Sequence, residues 1–368
     1  MLRPRYVMLG GFLGAGKTTA MLAFARMLRD RGLRVGAITN DQSVGLVDTQ
    51  MLQAGGHQTE EISGGCFCCK FDSLLEAAQR LTAENQPDVL LAEPVGSCTD
   101  LRATVSEPLR QIYGDRVVVA PLSVVVDPIR AGRVLGLRDE KQFSSKVVYI
   151  YERQLEEADL IVVNKVDLLS TEDRSALREA LQKRWPQKPV LEVGLRSGMG
   201  VEAWLDQVLN QEMVSRPAME VNYDEYADGE ALLGWLNLGG KLKGAEFDGN
   251  QWLLEAAAEL QSVLQQSAVD CEIAHLKMTL LPHPGNDLGV VNLVRRNAPP
   301  ELSYRLAEEL EFGELTVNLR AEADPEWLRE VALDVLGRVA GKHGLAWSID
   351  QIQAFRPGRP VPVHRLGV

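Results

Sequence analysis

Cysteine and histidine are both scarce, five of each in 368 residues. So few cysteines, and an odd number, exclude a disulfide framework and fit a reducing compartment, where clustered thiols point to metal or redox chemistry. Positive charge is short as well: 39 Lys and Arg against 51 Asp and Glu leave a formal charge of −12. That balance excludes a broad phosphate-binding face, so no nucleic-acid partner is expected. No apolar run reaches the length of about 18 residues that a membrane-spanning helix needs, so no membrane partner is expected either. The opening MLRPRYVMLGGFLGAGKTTAML has the basic start of a signal sequence, but glycines and Lys17 interrupt its apolar run and no small-residue cleavage site follows. Internal repeats are lacking. What is present is ordinary for a globular chain, 45% hydrophobic and 24% charged, with length enough for two cores. The expected location is the cytoplasm.

Over the first half, short aliphatic runs alternate with helical patterns. The runs are YVMLGG (6–11), RVGAIT (34–39), DVLLAEP (88–94), LSVVVD (122–127), DLIVVNK (159–165) and PVLEVG (189–194). Apolar residues on both parities are expected of strands buried on both faces of a parallel sheet. Amphipathic stretches at 21–32, 73–84 and 171–185 supply the intervening helices. This predicts a doubly wound α/β domain over 1–212, with its ligand beyond the carboxyl ends of the strands. Residues 213–229 read as a connector. A β-α-β-β-β-α order over 230–345 predicts a smaller α+β domain with its helices on one face of an antiparallel sheet. The stretch 346–368 reads as an extended, proline-rich, basic tail.

The strongest motif is GFLGAGKTT, Gly11 to Thr19, placed between a predicted strand and a predicted helix. Gly11, Gly14, Ala15 and Gly16 let backbone amides wrap a phosphate. Lys17 reaches the β/γ oxygens, and the Thr18 hydroxyl ligates Mg²⁺. At the end of the 159–165 strand stands NKVD. The Asp167 carboxylate can accept two hydrogen bonds from guanine N1–H and N2–H, a donor pair that adenine lacks. Lys165 can lie along the base and Asn164 can brace the loop. Ser197, in the turn ahead of the next helix, is placed to meet guanine O6. Glu93 closes the strand in LLAEPVG and is a candidate for holding Mg²⁺ through water, with Gly96 as sensor of the γ-phosphate. The polar stretch 39–50 is the place for a first switch, with Asp41 and Asp48 as candidate Mg²⁺ or water contacts.

Three of the five cysteines crowd into ISGGCFCCK: Cys66, Cys68 and Cys69. Three thiolates on one turn form a soft, nearly complete tetrahedral set for Zn²⁺ or Co²⁺, with a position left open for exchange. A redox turn is one competing reading. Another is a closed structural zinc site completed by Cys98 or His57. Cys98, two residues after Gly96, would move with the phosphate-sensing loop.

These motifs in this order, GFLGAGKTT, GGCFCC, Glu93-x-x-Gly96 and NKVD, resemble the CobW-type P-loop GTPases, relatives of the metal-insertion GTPases that serve urease and hydrogenase. The family pattern G-C-x-C-C is met by residues Gly65 to Cys69. Two segments depart from it: Glu93-Pro94-Val95-Gly96 stands where relatives read E-T-S-G, and Asn40-Asp41-Gln42-Ser43-Val44-Gly45 where they read N-E-F-G-E. The histidines, at 57, 275, 283, 343 and 364, form no metal-storing run. The resemblance implies a P-loop GTPase domain with a mainly parallel sheet plus a smaller α+β domain. It implies a protein that hydrolyses GTP to GDP and phosphate with Mg²⁺. Lys17, Thr18 and Glu93 would be catalytic; with no catalytic Gln or in-chain Arg finger identifiable, the rate is expected to be slow without partner or metal. It further implies Zn²⁺ or Co²⁺ at the three thiols and delivery to a client metalloprotein; a homodimer is a separate expectation. The alternative function is a GTP-gated module that activates a metallo- or cobalamin enzyme while its own metal stays structural. An ATP-dependent kinase is disfavoured by NKVD.

Overall fold

The computed structural model describes residues 3–42, 47–140, 143–267, 271–283 and 287–366. Two compact units emerge, one of residues 1–44, 55–227 and 359–368, the other of residues 45–54 and 228–358.

The first unit is built on an eight-stranded sheet: β1 (Arg5–Gly10), β2 (Val35–Asn40), β3 (Gln58–Ile62), β4 (Val89–Glu93), β5 (Val118–Val119), β6 (Ser123–Val126), β7 (Leu160–Val163) and β8 (Val190–Glu192). The order is β3-β2-β4-β1-β6-β7-β8, with β5 beside β1, and the recorded strand pairs are parallel. All six aliphatic runs are strands, because burial on both faces needs apolar residues at both parities. β3 was not legible: QTEEI sits at the sheet edge with one fully buried residue, so its sequence carries no apolar signal.

Helices α1 (Lys17–Asp30), α3 (Phe71–Asn85), α4 (Glu107–Tyr113), α5 (Pro128–Val134), α6 (Ser145–Glu157), α7 (Thr171–Arg184) and α8 (Val201–Asn210) connect the strands, and α2 (Val47–Ala54) belongs to the second unit. The connector reading of 213–229 is corrected in part: α9 (Tyr223–Leu232) begins inside it. Asn222 caps that helix, its side-chain oxygen accepting from the amides of Asp224 and Glu225 at 3.1 and 3.3 Å.

The second unit holds β9 (Leu233–Phe247), β10 (Glu272–Pro282), β11 (Gly289–Leu293), β12 (Glu301–Tyr304), β13 (Leu310–Glu322) and β14 (Ala346–Phe355). They form one antiparallel sheet in the order β12-β11-β10-β13-β9-β14. Helices α10 (Gly249–Gln266) and α11 (Pro325–Lys342) bury Trp252, Leu253, Leu260, Val335 and Leu336 against the Leu315, Val317 and Leu319 face of the sheet. Period-2 alternation places Lys277, Thr279, Thr316 and Asn318 on the opposite face. There α2 docks: Val47 N–H donates to Asn318 Oδ1 at 3.2 Å, and the Gln50 amide bonds Thr316 and Thr279 at 3.2 and 2.8 Å. Asp48, expected near Mg²⁺, is instead ion-paired with Lys277. The tail reading is corrected as well. Residues 346–355 form β14, an edge strand along β9 whose mostly exposed side chains hid it, and only the remainder runs as an extended tail.

Candidate nucleotide and metal site

In a parallel sheet the carboxyl ends of neighbouring strands open onto one crevice, and here each end carries one motif. The phosphate loop follows β1, Asn40 ends β2, the thiol turn follows β3, and Glu93 ends β4. Thr39 lies opposite Glu93 and Asn40 opposite Ile62 in the strand register.

The loop from Gly11 to Gly16 leads into α1, whose N-cap Gly16 has φ of 101° and whose first turn carries no acid. A Cβ at Gly16 would sit 2.5 Å from Asn164 Nδ2, so only glycine lets the loop pass this close. With no side-chain cap on the helix, the site offers amides and the positive end of a helix dipole to an anion. Lys17 is buried, 3.7 Å from Glu93 Oε1 and 3.5 Å from Phe12 O. Thr18 Oγ1 donates to Glu93 Oε1 at 3.2 Å, and Thr19 is exposed one residue on. A hydroxyl beside a carboxylate, both hard oxygen donors, fits Mg²⁺. Gly96 passes close to Lys17 beside this pair: a Cβ there would meet Leu13 at 2.8 Å and Lys17 Nζ at 3.0 Å.

The NKVD loop is stitched to the phosphate loop. Asn164 Nδ2 donates to Ala15 O at 3.0 Å, and Lys165 Nζ to Gly14 O at 2.9 Å. Asp167 is exposed. A Cβ at Gly194 would lie 3.4 Å from Asp167 Oδ1 and 2.5 Å from Ser197 Oγ, so the two loops meet at Gly194. Two residues here escaped the sequence reading. Asp127 caps α5 through the amides of Ile129 and Arg130, and its other oxygen holds Lys165 Nζ at 2.9 Å. Arg130 donates to Leu13 O at 2.7 Å and stacks on the rings of Phe12 and Phe143. The strand-end Asp-Pro of VVVDPIR was the available signal, since Asp before Pro is a helix-start pattern.

The thiol turn is closed by Cys66 O, which accepts from the amides of Cys69 and Lys70 at 3.0 and 2.9 Å. Asn40 clamps it to β2. Its Nδ2 donates to Ile62 O and Gly65 O at 2.9 and 2.7 Å, and its Oδ1 accepts from Phe67 N–H at 2.8 Å. The sulfur atoms lie 2.7 Å (Cys66–Cys68), 3.2 Å (Cys66–Cys69) and 3.8 Å (Cys68–Cys69) apart. They therefore lie at or inside the edge of about 3.8 Å expected of thiolates around zinc. Hydrogen bonds from Cys68, Cys69 and Cys98 hold the Cys66 thiol well below its ordinary range. The bond to Cys66 pushes Cys68 well up and Cys69 up to about 11. Binding a soft cation here would displace the protons that remain on these thiols.

The chain's own tail covers the turn. Val361 N–H donates to Cys69 Sγ at 3.2 Å and Val363 N–H to Cys68 O at 2.9 Å, while His364 packs edge-on against Phe71. Arg365 is anchored to buried Asp100 at 2.7 Å. The two candidates for a fourth ligand separate. His57 precedes β3 whereas the thiols follow it, so five strand residues, about 16 Å, lie between them. Cys98 is on the thiol side. Asp41 is half-buried just beyond β2, its amide donating to Ile62 O at 3.1 Å. Ser43, Val44, Gly45 and Leu46 of the expected first switch lie outside the described residues.

A family model described as CobW/HypB/UreG, nucleotide-binding domain, matches residues 5–192, just over half of the chain. The chain belongs to that family. A zinc chaperone CobW from Sinorhizobium sp is 30% identical over an alignment of 253 residues that covers 59% of this chain and 69% of that protein. The zinc chaperone YeiR of Escherichia coli (strain K12) is 30% identical over 184 residues, 48% of this chain and 50% of YeiR. Among solved structures, Zn(II)-bound YjiA GTPase from E. coli aligns with 91% of this chain and 99% of its own, at 16% identity and a TM-score of 0.37. That likeness is too loose for a residue-level comparison. No helix among the described residues is long and apolar enough to cross a membrane.

Proposed function

We propose that this protein is a GTP-hydrolysing metallochaperone that takes Zn²⁺ or Co²⁺ on Cys66, Cys68 and Cys69 and delivers it to a client protein under nucleotide control. The observation that carries this reading is the Asn40 clamp: one side chain at the end of β2 bonds both flanks of the thiol turn. A change in the segment after β2 on nucleotide exchange therefore pulls on the metal ligands. The names of the CobW and YeiR relatives, zinc chaperones, support the same cargo.

Asp167, exposed beside Ser197, would select guanine, and Asn164 and Lys165 would fix the base loop to the phosphate loop. Lys17 would leave Glu93 for the β/γ oxygens, freeing the carboxylate. Mg²⁺ held by Thr18 and Glu93 would neutralise charge building on the phosphates. Arg130 braces the loop through Leu13 O rather than reaching the phosphates, so hydrolysis is expected to be slow without a partner or cargo. Coupling is reciprocal: if GTP lowers metal affinity by some factor, metal lowers GTP affinity by the same factor, typically about 1–3 kcal/mol.

The test is metal transfer. Zinc-loaded protein is mixed with a chromophoric chelator and GTP, with Lys17→Ala as the hydrolysis-deficient control. The reading expects release that tracks phosphate production and is lost in Lys17→Ala. Release at one rate with GTP, with GDP and in the variant would overturn it.

A further inference from the structure

We propose that Cys98 is the fourth ligand of the thiol site, so that metal is held by Cys66, Cys68, Cys69 and Cys98, and one ligand rides on the loop that passes over the phosphate-binding lysine. This rests on the metal-binding reading above and goes beyond it by naming the donor that closes the site.

Four observations place Cys98 there. Its side chain is in hydrogen-bond contact with both Cys66 and Cys68, about 30 residues earlier in the chain, and it stands just outside the trio of sulfurs that lie within 4.8 Å of one another, so a bound ion would draw it in. It is 1% exposed, so its thiol is shielded from solvent as a metal-binding thiolate would be. Its loop is stiff: Cys98 N–H donates to Val95 O at 3.0 Å, and Gln154 Nε2 donates to both Gly96 O and Cys98 O at 3.0 and 2.7 Å. Finally, Gly96, two residues earlier and tied to the same Gln154, lies against Lys17 Nζ. A cluster of three thiols on one turn leaves a tetrahedral ion one donor short, and a fourth thiol already touching two of them supplies it.

The donor set has chemical consequences. Four thiolates around a divalent ion carry a net double negative charge, which needs hydrogen-bond donors to the sulfurs. Val361 N–H on Cys69 Sγ is one. All-sulfur ligation favours soft or borderline ions over Mg²⁺, so this site and the phosphate site would not compete for one cation. Because Cys98 and Gly96 hang from one glutamine, a shift of Gly96 on phosphate binding is transmitted to the metal by its fourth ligand, while the other three stay on the turn held by Asn40.

Cobalt(II) reads the number of thiolates directly, through the intensity of its sulfur-to-metal charge-transfer band and the position of its visible d–d bands. The full chain is titrated with Co²⁺ as wild type, Cys98→Ser, Cys98→Ala and Cys66→Ser, with circular dichroism and thermal melting establishing that each variant is folded. The proposal expects a tetrahedral four-thiolate spectrum for wild type. It expects about one quarter of the charge-transfer intensity to be lost in both Cys98 variants, with Co²⁺ affinity reduced tenfold or more. A spectrum and affinity unchanged in Cys98→Ser and Cys98→Ala, while Cys66→Ser abolishes both, would overturn the role of Cys98 and leave the three-thiol reading standing. Absence of any thiolate band in wild type would overturn both together.

Discussion

Asp167 stands exposed where its loop meets Ser197 at Gly194, and a carboxylate in that position does one thing a neutral side chain cannot: it accepts two charge-assisted bonds from guanine. Asp167→Ala should weaken GDP binding by about 3 kcal/mol, roughly a hundredfold in Kd, with melting temperature unchanged because the exposed side chain packs against little. Calorimetric titration of GDP checks this, and an unchanged Kd would place the base elsewhere. A different residue governs pH dependence. Burial pushes the Glu157 carboxyl up to about 8, against about 4.3 for an ordinary glutamate in the unfolded chain. Between those values the folded protein binds the extra proton. The contribution to stability is therefore fully present below about pH 4.3 and is lost as pH rises through about 8. Glu157 accepts from Thr99 Oγ1 on one oxygen and from Arg102 N–H on the other, at 3.2 and 3.0 Å; in glutamine the carbonyl oxygen can keep the Arg102 bond while the NH₂ group donates to the Thr99 hydroxyl. Glu157→Gln should accordingly flatten the fall in urea midpoint between about pH 5 and 8. A variant that falls as steeply as wild type would contradict the assignment.

At the scale of elements, two segments do work their sequences concealed. The tail gives Cys69 Sγ a hydrogen bond from a backbone amide, that of Val361. Val361→Pro removes that single N–H at a position already preceded by Pro360. A bond to a charged acceptor is worth about 1.5 kcal/mol, so zinc should pass to a chelator about tenfold faster. Stopped-flow transfer measures it, and an unchanged rate would mean the strap covers the turn without tuning it. Helix α2 docks on the polar face of the second sheet, where Lys277 neutralises Asp48. Lys277→Met removes the ion-pair partner of half-buried Asp48, so amide exchange across Val47–Ala54 should quicken by an order of magnitude or more while exchange in α10 stays slow. Equal protection in variant and wild type would show that the Gln50 and Asn318 bonds alone hold the helix. Apolar strands were legible because two-sided burial writes itself into composition. QTEEI, AWSIDQIQAF and the α9 helix were not, because an edge strand or a polar connector helix buries too little to leave a period.

For the molecule as a whole, what the sequence could place was set by how far apart the partners lie in the chain. The phosphate loop, NKVD and the thiol triplet are each contiguous, since backbone amides, a base edge and a tight turn are local demands. Their mutual wiring is not local. Asn40 reaches Gly65, Lys165 reaches Gly14, Arg130 reaches Leu13 and Cys98 reaches Cys66. Such contacts leave no spacing to read, and only the parallel sheet, by aligning its carboxyl ends, brings them together. On the proposed function, nucleotide and metal would occupy one crevice and share Asn40's strand and Gly96's loop, which makes linkage between the two ligands the central claim. The most direct measurement is the equilibrium Zn²⁺ affinity of the full chain by chelator competition, without nucleotide, with GDP and with a non-hydrolysable GTP analogue, with Cys66→Ser as control. The account predicts a difference of tenfold or more between the GDP and GTP-analogue states, about 1.4 kcal/mol, abolished in Cys66→Ser. Equal affinities in all three states would contradict it.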